Sequence, residues 1–216
     1  MTANEKWIID TNVIVHWLMQ KQIMPFAVQH FHLANEFFET YSNRHRRSFD
    51  YINQVLGLSG ENQQFLITEL SLSELFLGIR DEIRCIMLFI GGVPIARWQY
   101  KRESKDVNFS EELSKTIYEL TLKGFDSLFG EKRIEIIPVA SSSEEKTYFD
   151  VYSSLIFLYQ DLRTQDALLI TTAIFEKANY FVTTDSDLVD LGKKLRSKYG
   201  LQILLPDTAL QIINHS

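Results

Sequence analysis

The 216-residue chain holds a single cysteine, Cys85. One thiol excludes an intrachain disulfide framework and a cysteine-only zinc site. Long apolar runs are also lacking. The longest patch, CIMLFIGGVPIA over 85–96, is interrupted by two glycines and falls short of the roughly 20 residues that a membrane span needs. No basic leader followed by an apolar run and a cleavage site opens the chain, so no signal peptide is expected. The expectation is a soluble, cytoplasmic protein with no membrane partner. Positive charge is scarce as well. The formal net charge is −6, which argues against a passive nucleic-acid binder, usually a basic protein. It does not argue against a metal-dependent nuclease, where acids hold cations and the cations face phosphate.

Several catalytic patterns are missing. There is no Walker-type glycine-rich phosphate loop and no Gly-x-Ser-x-Gly nucleophile elbow. No His-x₃-His pair occurs; His30 and His32 stand two apart and fall on different faces of a helix. His16 reads as a packed or partly exposed helix residue.

What is present is a globular composition, 45% hydrophobic and 23% charged, with no internal repeat and no low-complexity tract. The length suits one domain over 1–216. Short apolar runs at 6–10, 65–70, 134–139, 180–185 and 201–205 read as strands. Helical patterns lie between them. A helix starts at Thr11 or Asn12 and runs to about Gln20. Phe26, Leu33, Phe37 and Tyr41 predict a second helix, with Pro25 ending the first or starting the second. Leu72, Leu75, Phe76 and Ile79 fall on one helical face. Leu113, Ile117 and Leu120 mark a helix that stops near Gly130. Tyr148 to Leu162 forms a long apolar stripe, preceded by two overlapping capping boxes, Ser141 with Glu144 and Ser142 with Glu145. Residues 166–178 are apolar nearly all round, and 186–200 is amphipathic. Strands alternating with helices imply an α/β fold with a mostly parallel sheet of about five strands between two helical layers.

In such folds sites form at the carboxyl ends of the strands. Asp10 and Asp185 each end an apolar run, Glu74 follows the second strand, Asp166 opens the apolar helix, and Asp187 lies two residues beyond Asp185. Each has an ordinary structural reading. Asp10 suits a turn or a helix cap, Ser71 and Glu74 form a capping box, Asp166 suits a helix dipole, and Asp187 suits an N-cap. Together they read differently. Carboxylates gathered at one edge repel one another unless cations intervene, and hard cations such as Mg²⁺ or Mn²⁺ prefer oxygen ligands. The chemistry suggested is phosphodiester hydrolysis.

The segments IIDTNVIV, ITELSLSELFLGI and TQDALLITTAIFEKANYFVTTDSDL resemble the PIN-domain family of metal-dependent ribonucleases, which includes the toxins of many toxin–antitoxin pairs. The resemblance covers roughly 5–20, 64–80 and 134–207. It implies a three-layer α/β/α PIN-like fold, and Asp10, Glu74, Asp166 and Asp185 as catalytic residues binding Mg²⁺ or Mn²⁺. It further implies Asp187 as an added acid, Asn12 and Thr183 as orienting residues, RNA as substrate, and an antitoxin or a second copy of the chain as partner. Asp10 and Glu74 are 64 residues apart, and Glu74 and Asp166 are 92 apart, both longer than in compact members. The extra length predicts helical insertions at 24–63 and 81–133. Two basic stretches fall inside them, and Arg44, Arg46, Arg47, Arg97, Lys101 and Arg102 are candidates for RNA contact. Two other readings stand beside this one. A catalytically inactive PIN-like module would bind RNA or protein. A phosphatase with an aspartate nucleophile would use Asp10, but it needs a second acid where Asn12 stands.

Overall fold

A computed structural model describes residues 5–58, 62–94, 107–130, 133–139, 145–160 and 162–215. Strand β1 (Glu5–Ile9) leads into helix α1 (Thr11–Leu18), which continues through a π-type turn at Met19–Ile23 into α2 (Met24–His30). Helix α3 (Asn35–Gly57), β2 (Gln63–Thr68), α4 (Glu69–Ile90) and α5 (Glu111–Phe129) follow. The remainder is β3 (Ile134–Ile137), α6 (Glu145–Leu158), α7 (Thr164–Phe175), β4 (Tyr180–Val182), α8 (Ser186–Tyr199), β5 (Gln202–Leu204) and α9 (Pro206–His215). All four strand pairings are parallel, in the order β3-β2-β1-β4-β5. The sheet is therefore all-parallel rather than mostly parallel.

Alternate strand residues serve opposite layers, as the two-residue period of a strand requires. Trp7, Ile9, Phe65, Ile67 and Val182 pack with α1, α3, α4 and α9 in one core. Ile8, Leu66, Phe181 and Ile203 pack with α6, α7 and α8 in the other. That is the three-layer α/β/α arrangement. Trp7 stacks on Tyr180 at 4.0 Å between centroids, tying β1 to β4 on the first face.

Three details differ from the sequence reading. The helix expected across Phe26–Tyr41 is broken. Leu33 N–H donates to the Val28 carbonyl at 2.9 Å, and His32 takes a positive φ of 53°. That is a helix stop of the kind glycine usually makes, filled here by histidine. The stripe through Tyr148 leaves α6 at Leu158, which is 64% exposed; Phe76 is likewise exposed, against Tyr118 and Phe125 of α5. All of α9 is helical without having been expected so, whereas the 43–57 half of α3 falls in the expected helical insertion at 24–63. The capping boxes at 141–145 lie outside the described residues, as residues 141–144 do.

Gly78 sets how closely α4 lies on α1. A Cβ built there would meet Val15 Cγ2 at 2.8 Å, so only glycine permits this approach without displacing Val15. The same approach places the start of α1 beside the second turn of α4.

Candidate carboxylate site at the strand ends

Strand β1 ends one residue before Asp10. The Asp10 N–H donates to the Val182 carbonyl at 2.9 Å, continuing the β1–β4 ladder past the strand. Asp10 occupies the N-cap position of α1, yet its side chain makes no capping bond. Its Oδ2 instead accepts the Thr183 hydroxyl at 2.7 Å, in a setting where Asp10 is 5% exposed and Thr183 fully buried. The Thr183 Oγ1 in turn accepts the Asp185 N–H at 3.0 Å. One hydroxyl thus ties the end of β1 to the turn after β4.

Glu74 does not form the expected capping box. Thr68, one turn earlier, caps α4 by accepting the Ser71 N–H at 3.1 Å, and Ser71 is buried inside the helix. Relieved of that duty, Glu74 Oε2 accepts the Thr11 hydroxyl at 3.0 Å. Asp166 lies in the first turn of α7, whose N-cap is Arg163 without a side-chain bond. Asp185 does cap. Its Oδ1 accepts the Asp187 N–H at 2.9 Å and begins α8, so the N-cap expected at Asp187 belongs to Asp185. Asp187 and Asn12 are exposed.

The four carboxylates feel one another. Burial pushes Asp10 up to about 7; hydrogen bonds from the Thr183 hydroxyl and the Thr11 backbone oppose this, and the charges of Asp166 and Glu74 add to it. Burial also raises Asp166, against the nearby Arg163 and with the charges of Asp185 and Glu74. A carboxylate this buried, with acids and no basic group acting on it, is costly to ionise. The donor set therefore suits a hard divalent cation in kind. Among the described residues, however, no three His, Cys, Asp or Glu side chains stand close enough together to hold an ion. Glu74 and Asp185 are instead turned to local hydrogen-bond donors.

Beside the acids lies a cavity of about 450 Å³ whose wall includes Asn12, His16, Arg44, His45, Arg47 and Thr184. Of the basic residues singled out from the sequence, Arg44 and Arg47 line it, whereas Arg46 is exposed and paired with Asp50 at 3.3 Å. Arg97, Lys101 and Arg102 lie outside the described residues. Sequence reasoning missed Thr11, although Asp-Thr-Asn contains it. It also missed the packing of His16 against His45, whose ring centroids are 3.9 Å apart; their 29-residue separation leaves no local signal.

Fold and edge together define a class: a three-layer α/β/α protein with Asp10 and Asp185 following neighbouring strands of a parallel sheet. No family model matches the sequence, and no curated protein does. Among solved structures the chain is similar to the crystal structure of VapBC2 from Rickettsia felis bound to a DNA fragment from their promoter. The TM-score is 0.43 at 15% identity, over 93% of this chain and 98% of that one. A likeness so distant carries no functional argument, and function must be read from this chain's own residues.

Proposed function

We propose that the protein is a metal-dependent endoribonuclease, with Asp10, Glu74, Asp166 and Asp185 as its catalytic acids. The observation that carries this is Asp10. It is a buried carboxylate at a strand end that is held by Thr183 rather than by an N-capping bond, and it lies within electrostatic reach of two other acids. Structural duty does not account for it, and burying it uncompensated costs stability.

The four acids would hold one or two Mg²⁺ or Mn²⁺, with Asp187 at the outer rim. Such an ion, when bound, polarises a phosphoryl oxygen and makes water a better nucleophile. The chain's own part is orientation. Thr183 fixes one oxygen of Asp10. Thr11 fixes one oxygen of Glu74. Asp185 has one oxygen committed to its own helix, leaving the second. Asn12, exposed at the start of α1, lines the cavity two residues from Asp10. Orientation of this kind typically changes metal affinity or activity by about 10–100-fold.

Incubation of purified protein with single-stranded and structured RNAs and Mn²⁺, beside Asp10→Asn and Asp166→Asn, tests the proposal. Cleavage by the wild type alone supports it. Equal cleavage by all three, or none under any divalent metal, overturns it. A narrower form follows from the sequence resemblance: a toxin held by a protein antitoxin. Co-expression with the product of an adjacent gene, followed by loss of cleavage in the complex, tests that form.

A second reading has one observation in its favour. The acids do not close around an ion as they stand, which suits a non-catalytic module that binds RNA or protein. That reading predicts binding with no cleavage, and no rise in melting temperature on adding Mn²⁺.

A further inference from the structure

We propose that the cavity formed by Asn12, His16, Arg44, His45, Arg47 and Thr184 is a subsite for a phosphate of single-stranded RNA that flanks the cleaved bond. This rests on the endoribonuclease reading and names how that site would hold its substrate.

Position supports the subsite first. Asn12 follows Asp10 by two residues, at most about 7 Å of chain, and Thr184 lies between Thr183 and Asp185. Leu205 and Pro206, after β5, complete the same edge. The cavity wall thus lies two residues from Asp10 and one from Asp185 along the chain, at the ends of β1, β4 and β5. A groove placed there suits the ligand site of a parallel α/β sheet.

Chemistry supports it next. Arg44 and Arg47 stand one turn apart on α3, on either side of His45. Glu82 is the acid in the wall, and it accepts the Tyr41 hydroxyl at 3.0 Å. Two guanidiniums thus stand in one wall with that carboxylate. Arg47 pairs with Asp207 at 3.3 Å, but Arg47 is 69% and Asp207 40% exposed; such a surface pair contributes little and yields to a phosphate. His16 packs on His45 and lies 3.4 Å from Ser48 Oγ, which adds further polar groups to the wall. His45 is held neutral by burial and by the neighbouring His16 and Arg44. Two guanidiniums with amide, hydroxyl and imidazole groups match the several oxygens of a phosphate. The acids hold the reacting phosphate through cations, whereas this cavity meets a phosphate directly. The acidic chain therefore needs no broad basic surface to grip RNA.

The test uses the full chain carrying Asp10→Asn, so that RNA is bound but not cut. Anisotropy of a labelled 12-nucleotide single-stranded RNA is followed between 50 and 200 mM salt. Adding Arg44→Ala or Arg47→Ala should weaken binding about 10-fold each. Either should also lower the slope of log affinity against log salt by about 0.7. Arg46→Ala, on the same helix but outside the cavity, should leave binding within about twofold. Melting curves confirm that each variant folds, and Arg44→Lys should retain part of the affinity through its charge. Equal losses at Arg44 and Arg46 overturn the subsite, as does a folded parent that binds no RNA. AMP binding that depends on Arg44 without any RNA binding overturns it in favour of a free mononucleotide. If binding depends on Arg44 and Arg47 while wild-type protein cleaves nothing, the nuclease reading fails, the flanking role is overturned with it, and the cavity stands only as a phosphate site for bound RNA. If wild-type protein cleaves RNA and loss of either arginine changes neither binding nor cleavage, the subsite fails and the nuclease reading stands.

Discussion

Strands β1 and β4 are hydrogen-bonded neighbours, and each is followed by an aspartate, Asp10 directly after β1 and Asp185 three residues after β4, yet the two ends are built differently. At the β4 end, Asp185 is half-buried and caps α8 by accepting the Asp187 N–H. Its local structure explains why an aspartate is there. At the β1 end, Asp10 is buried, leaves the amides of α1 without a side-chain cap and accepts a hydroxyl from another strand end. A capping bond is worth about 1 kcal/mol, so the β1 end forgoes that and bears the desolvation of a carboxylate as well. Sites that break local rules without local compensation are where function is to be sought. The contrast ranks the two acids: Asp10 carries the functional inference, and Asp185 shares its role with a structural one.

Replacing Asp10 strains that contrast most. Asp10→Asn should cut metal-dependent RNA cleavage by more than about 100-fold, beyond the range seen for groups that only orient ligands. The same change should stabilise the metal-free protein near neutral pH. Asp10 keeps its proton in the folded chain up to about 7, whereas an unfolded aspartate loses it near pH 4. Between those values the native state binds more protons, so stability is full below about pH 4 and falls as pH rises through about 7. The loss is at most roughly 4 kcal/mol. Denaturation in EDTA at pH 4.5 and 7.5 should show wild type losing more stability than Asp10→Asn. Equal losses would mean that Asp10 is not strained by its burial.

Thr183 is the next lever, because one hydroxyl serves both strand ends. Thr183→Val keeps the shape but removes the donor to Asp10 and the acceptor for the Asp185 amide. Cleavage should fall about 10–100-fold, and stability should drop by about 1–3 kcal/mol as a buried polar group loses its partner. Thr183→Ser should restore both. Rescue of stability without rescue of cleavage would separate the fold from the site and remove Thr183 from the orienting role.

The difference between the strand ends also marks how far a sequence can be read. The five strands were legible as short apolar runs, and the layering follows from their alternation. Asp10 and Asp185 were legible because each closes an apolar run, Glu74 and Asp166 because each lies near the start of an apolar helix. Their local duties were not. Ser71 and Glu74 have capping-box spacing, but Thr68 precedes them and takes the cap, and spacing alone does not say which hydroxyl begins the helix. The break after α2 was hidden because His32 takes the positive φ that glycine usually signals. Contacts between distant elements were hidden for a different reason. Thr11 meets Glu74 only because Gly78 lets α4 lie close on α1, and His16 meets His45 only after α3 packs across α1. Periodicity reports which face a residue occupies, not which residue it will face.

Asp185 offers the smallest and most discriminating effect, since capping and charge separate there. Asparagine caps as well as aspartate does, so Asp185→Asn should leave the start of α8 and the melting temperature nearly unchanged. Asp185→Ala loses the cap and should cost about 1 kcal/mol. Both remove the charge that raises Asp166 and one oxygen from the acidic edge, so both should lower cleavage to a similar extent, and by less than Asp10→Asn does. If only the alanine variant loses cleavage, Asp185 acts through the helix it begins, and the β4 end is structural. If both lose it while the asparagine variant melts like wild type, the charge matters in its own right. The two strand ends then differ in degree of commitment and share one task.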